Sequence, residues 1–91
     1  MKRRVSVIIH GRVQGVAFRH HTFRQALGLG VKGWVRNLPD GSVAGVFEGD
    51  ASAVAALIDW CRQGPPAAQV DRVDLIEATA TGEFDDFIIK Y

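Results

Sequence analysis

Two short stretches hold the residues with the most chemical capacity. The first is Gly11-Arg12-Val13-Gln14-Gly15-Val16-Ala17-Phe18-Arg19. Glycines this close together let the backbone curl with its N–H groups turned inward, and such a concavity binds anions. A helix opening near Ala17 would add unpaired N–H groups and the positive end of its dipole at the same spot, which favours phosphate or sulfate. Arg19 would lie in the first turn of that helix. There its planar guanidinium can fork onto two phosphate oxygens, a geometry the point charge of lysine cannot copy. Spacing alone leaves the alternative open, an ordinary strand-to-helix turn with a solvated arginine, because short glycine motifs are weakly diagnostic. The second stretch is Gly33-Trp34-Val35-Arg36-Asn37-Leu38-Pro39-Asp40-Gly41. The carboxamide of Asn37 offers both a donor and an acceptor, so it can hold a water while another group fixes an electrophile. Standing alone, an asparagine at this place would simply open the following turn.

The elements that must position these residues are readable from hydrophobic period. Between Arg3 and His10, Val5, Val7 and Ile9 alternate with Arg4, Ser6, Ile8 and His10, which predicts a strand followed by a loop over Gly11 to Val16. Phe18, Thr22, Ala26 and Leu29 then line one side of a helix that stops near Gly30. Val31 to Asn37 alternates again, Pro39-Asp40-Gly41 is a turn, and Ser42 to Glu48 is the returning strand of a hairpin. Asp50 is placed to cap a second helix whose Val54, Leu57, Ile58 and Cys61 form one apolar stripe, ended by Gly64-Pro65-Pro66. Val70 to Ala78 predicts a fourth strand, and Phe87, Ile89 and Tyr91 alternate in a short last one. The order β-α-β-β-α-β with a short extra strand predicts an α+β, ferredoxin-like split βαβ sandwich, an antiparallel sheet with two helices on one face. In that topology the first helix crosses between the first and second strands, so these two run parallel in the sheet. Their C-terminal ends then share one edge, and Asn37 can face the glycine loop.

Length and composition narrow the classes of function. With 91 residues, 47% hydrophobic and 23% charged, the chain predicts one globular domain over residues 1–91. A net charge of +1 provides no broad basic field, so no nucleic-acid partner is expected. Met1-Lys2-Arg3-Arg4 could open a signal peptide, but the apolar run from Val5 is broken by Ser6 and ends at His10, too short for export. No run approaches a membrane span, and a lone Cys61 fits a reducing, cytoplasmic setting. Cys61 lies on an apolar stripe and reads as a small buried hydrophobe rather than a reactive thiol. His20 and His21, adjacent on a helix, point too far apart to be a ligand pair, and no metal site is expected from them or His10. Trp34 and Trp60 read as anchors for the sheet and the second helix. Asp85 and Asp86 read as a solvated turn, and Arg3, Arg4, Arg12, Arg24 and Arg36 as surface charges, with Arg12 or Arg36 able to draw in an anion.

The two stretches, together with Ala26, Leu29-Gly30-Val31, Glu48-Gly49, Gly64-Pro65-Pro66, Val70, Val73 and the closing Phe87 to Tyr91, resemble the acylphosphatase family over nearly the whole chain. The resemblance implies an enzyme that hydrolyses acyl phosphates to a carboxylate and inorganic phosphate. By that resemblance the amides of Gln14, Gly15, Val16 and Ala17 cradle the phosphate, Arg19 binds it, and Asn37 orients the water. It implies a small-molecule substrate, no cofactor and no metal, and a monomer is expected. Ala17 and the His20-His21 pair are minor departures from the family pattern. The competing reading is a non-catalytic anion-binding or interaction module on the same fold, since ferredoxin-like domains host unrelated functions. A third is a domain of a larger carbamoyl-transfer protein, against which the length of the chain favours a free-standing enzyme.

Overall fold

Alternation of Val5, Val7 and Ile9 puts three buried side chains on one face of the first strand, β1 (Lys2–Arg12), in a computed structural model that describes residues 1–91. That face is covered by two helices, α1 (Phe18–Leu29) and α2 (Ala51–Gln63). Helix α1 buries Phe18, Thr22 and Ala26, while α2 buries Val54, Leu57, Ile58 and Cys61, each at the helical spacing that one-sided packing requires. The remaining strands are β2 (Lys32–Asn37), β3 (Val43–Asp50), β4 (Gln69–Ala78) and β5 (Phe87–Ile89), in the sheet order β4-β1-β3-β2-β5. Sixteen buried residues form one core cluster between sheet and helices. Phe18, Phe47, Ile9 and Leu57 are its largest fully buried members, and burial of each contributes about 1.5–3 kcal/mol.

The sheet is antiparallel except at one edge, where the expected antiparallel arrangement becomes mixed. Strand β5 pairs parallel to β2, with Gly33 opposite Phe87 and Val35 opposite Ile89. Its direction follows from the route of the chain. Ala78 ends β4 opposite Arg4, near the start of β1, and the connection after it crosses that end of the sheet to the far edge. A strand leaving from that end must run alongside β2, which starts there too.

A buried carboxylate holds this connection. Glu48, only 7% exposed, accepts the backbone N–H groups of Thr81 (3.1 Å) and Gly82 (2.7 Å). Arg4 donates to Glu48 at 3.4 Å, also reaches Glu83 and Thr81, and stacks over Phe84. Arg4 is therefore a structural bridge and not the solvated charge its position implied. Burial pushes the Glu48 carboxyl up, but the two N–H groups and Arg4 outweigh burial and hold it below its usual value. A folded-state pKa below the unfolded one gives stability that is full above the ordinary carboxylate range and is lost as pH falls through the folded value. Glu48→Ala strips two backbone donors of their partner and is expected to cost about 2 kcal/mol, a fall of about 10 °C in Tm near neutral pH. Thermal unfolding checks this, and the gap between wild type and variant should shrink in acid.

The end of β1 and the start of α2 differ from the sequence reading. Strand β1 continues past His10 through a bulge, where its register with β4 shifts between His10 and Gly11. Gly11 has φ 129, and a side-chain carbon there would stand 2.1 Å from the Gln69 carbonyl oxygen, so only glycine fits. Asp50 does occupy the position before α2, but its carboxylate pairs with Lys2 at 3.1 Å instead of capping the helix.

Candidate active site

The strand register fixes where the two chemical stretches meet. Ile9 and Asn37 both stand opposite Val43, one on each side of β3. The C-terminal ends of β1 and β2 therefore lie at one sheet edge, as the topology predicts, with β3 between them. Two strand spacings separate them, about 10 Å, and the loop after β1 spans that gap.

The loop is pinned at both ends by the core. Val13 and Phe18 are each 1% exposed, and Phe18 packs against Trp60 with ring centroids 5.5 Å apart. Between them Gly15 (φ 74) and Ala17 (φ 60) both take left-handed backbone angles. Such a geometry turns successive N–H groups to one side. For alanine it costs on the order of 1 kcal/mol. Ala17 is the residue preceding α1, and no side chain caps the helix there. The first intrahelical bond runs from His21 N–H to the Ala17 carbonyl at 3.0 Å, and Gly15, Val16 and Ala17 donate no backbone hydrogen bond. Their N–H groups and those of the first turn are left without a backbone acceptor.

A cavity of about 180 Å³ lies at this point, and Gln14, Gly15, Ala17, Arg19 and Asn37 line it, with Val13, Phe18, His20, Ile89 and Tyr91. Arg19 and Asn37, proposed from different elements, thus share one wall-to-wall space. Val16 is the exception among the expected residues: it is half-buried and its side chain packs against the core. No carboxylate side chain lines the cavity, and Arg19 is its fixed cation. Asn37 ends β2 half-buried and lines the cavity.

Two features of the site were not legible in the residues. Arg19 Nη1 donates to the Lys90 carbonyl at 3.0 Å, and its guanidinium lies 4.8 Å over the Tyr91 ring. The two residues that follow β5 thus orient the arginine and leave the Nε–Nη2 edge free for a bidentate contact. Gln14 Nε2 donates to the carbonyls of Leu38 (2.8 Å) and Ser42 (2.9 Å), across the end of β3. Both partners are carbonyl oxygens, so the orientation of the amide is forced. That turn is itself rigid. Leu38 N–H donates to Ser42 O at 2.9 Å, Gly41 N–H to Leu38 O at 3.2 Å, and Asp40 accepts both the N–H and the hydroxyl of Ser42. The hydroxyl above all, and then the N–H, hold the Asp40 carboxyl below its usual value.

Residues set aside in the sequence stay outside the site, with one exception. His20 reaches the cavity rim, whereas His10 pairs with Asp74 at 2.9 Å. Cys61 is fully buried, and burial pushes its thiol up to about 12. Dithionitrobenzoate at pH 8 is expected to leave the native protein unlabelled and to react with one thiol per chain in denaturant; fast labelling of the native protein would contradict this.

A cationic cavity at one end of a split βαβ sheet, between a loop and a hairpin, defines a ferredoxin-like α+β protein with a site at its topological edge. The family model described as Acylphosphatase matches residues 5–89. A curated relative from Syntrophus aciditrophicus (strain SB), named acylphosphatase, is 59% identical over 91 residues, which is 100% of this chain and 95% of the relative. The crystal structure of acylphosphatase from Bacillus subtilis has a TM-score of 0.94 at 31% identity, covering 100% of both chains. An acylphosphatase from Coxiella burnetii has a TM-score of 0.92 at 34% identity, over 98% of this chain and 93% of that one. The chain belongs to the acylphosphatase family of hydrolases. No helix in it is long and apolar enough to cross a membrane.

Proposed function

We propose that the chain hydrolyses acyl phosphates to a carboxylate and inorganic phosphate, with the phosphoryl group on the Gln14–Ala17 amides and Arg19, and the attacking water on Asn37. One observation carries this reading: Gln14, Gly15 and Ala17 of the loop, Arg19 and Asn37 line a single cavity that no carboxylate side chain lines. Water attacks phosphorus, the bond from phosphorus to the acyl oxygen breaks, and the carboxylate leaves with the electron pair. The proton of the water passes to a phosphoryl oxygen, so the products are the carboxylate and protonated phosphate. A mixed anhydride has a good leaving group, and positioning with charge stabilisation suffices without a covalent nucleophile. Charge that develops on the equatorial oxygens meets N–H groups and a guanidinium already aimed at them.

All the groups invoked come from one chain, so a monomer suffices, and the free thiol of Cys61 fits a reducing cytoplasm. The test is phosphate release from benzoyl phosphate in the presence of EDTA. Turnover that survives the chelator is expected. Tight binding of inorganic phosphate with no release above the buffer rate would mark a binding module instead.

A further inference from the structure

The side chain of Gln14 is left unexplained by a role for its backbone amide. Its two amide hydrogens go to Leu38 O and Ser42 O, 24 and 28 residues away. Those carbonyls flank the turn that begins immediately after Asn37. The residue that opens the phosphate loop is therefore fastened to the hairpin that carries the proposed water-holding carboxamide. The two halves of the site otherwise come from strands that do not touch, since β3 lies between β1 and β2.

We infer that Gln14 is a positioning residue for catalysis, setting the distance between the phosphate cradle and Asn37 through its side-chain tether. The inference rests on the proposed role of Asn37. A tether of this kind matters most in the transition state, when attacking oxygen, phosphorus and leaving oxygen must line up. Ground-state binding of phosphate uses the loop amides and Arg19, whose anchors at Val13, Phe18 and the Lys90 carbonyl remain without the tether. Neither carbonyl is orphaned without Gln14, because Leu38 O still accepts Gly41 N–H and Ser42 O still accepts Leu38 N–H. Loss of the tether thus frees the loop from the hairpin without removing the hairpin's own bonds.

Gln14→Met keeps length and removes both donors; Gln14→Glu keeps shape and turns an acceptor toward two carbonyl oxygens. For either variant, kcat on benzoyl phosphate is expected to fall by roughly 10- to 100-fold, while the inhibition constant of inorganic phosphate stays within about threefold. The discriminating experiment is a double-mutant cycle with Asn37→Ala. If Gln14 acts through Asn37, Gln14→Met costs little further kcat in the Asn37→Ala background. Equal fold-losses in both backgrounds, or an unchanged kcat in the single variants, would overturn the inference. Full activity of Asn37→Ala by itself would instead overturn the proposed role of Asn37, so the two failures are distinguishable. Circular dichroism and thermal unfolding of each variant show that a folded chain is being measured, and Gln14→Glu supplies the cycle if Gln14→Met does not fold.

Discussion

Arg19→Ala is expected to lower kcat/KM for benzoyl phosphate by on the order of 10³-fold, the largest loss from any single change in the site. Arg19 is the one fixed cation lining the cavity, and the segment just after β5 already orients it through the Lys90 carbonyl at 3.0 Å. Its free edge can grip two phosphoryl oxygens in the ground state and hold them more strongly as charge accumulates there. Both KM and kcat should therefore suffer, and the inhibition constant of inorganic phosphate should rise with KM. Arg19→Lys keeps the charge but cannot donate to Lys90 O and fork onto a phosphate together, so it is expected to recover only a small part of the loss. Stability should change little, since a stack of guanidinium on an exposed Tyr91 is worth about 0.5–1 kcal/mol. Near-normal kcat/KM in Arg19→Ala, measured by steady-state kinetics, would remove this residue from the mechanism.

Asn37→Ala should separate turnover from binding. Asn37 ends β2 and lines the cavity from the sheet side, while the proposed phosphate contacts lie on the loop and α1. Its removal is expected to lower kcat by about 10²- to 10³-fold, with phosphate inhibition close to wild type. Asn37→Asp adds a contrast. An acceptor remains, but a negative charge now faces the phosphoryl group, so both kcat and KM should worsen. If Asn37→Ala raised KM alone and left kcat intact, the carboxamide would be a binding group and the water would need another holder.

These losses differ in kind because the two residues belong to elements that different forces hold in place. Arg19 sits one residue after Phe18, whose fully buried ring pins the start of α1 to the core and to Trp60. Asn37 is held by the β2–β3 ladder, where it stands opposite Val43. Remote packing changes under Phe18 should thus disturb phosphate binding, and changes in the turn after Asn37 should disturb turnover.

The elements themselves were legible in the residues, because hydrophobic period is a property of near neighbours. Val5, Val7 and Ile9 alternate whatever the rest of the chain does, and Val54, Leu57, Ile58 and Cys61 lie on one helical stripe for the same reason. Element order then limits the topology through the handedness of the β-α-β crossover, and this was enough to bring Asn37 and Arg19 to the same sheet edge. Bulges and edges were not legible. Gly11 looked like the start of a loop, because a register shift exists only when β4 lies alongside. Strand β5 had a clean alternation, yet its parallel pairing with β2 depends on the path of the connection that Glu48 and Arg4 hold down.

By itself the sequence determined which residues could bind an anion and hold a water, and on which elements they stand. Only the tertiary structure decided how those groups are aimed: Arg19 by a carbonyl 71 positions away, and Gln14 across to the hairpin beyond Asn37. The physical reason is that period and propensity act over one or two turns of chain. A hydrogen bond between distant residues exists only after the core has brought their elements together, and no pattern along the chain records it.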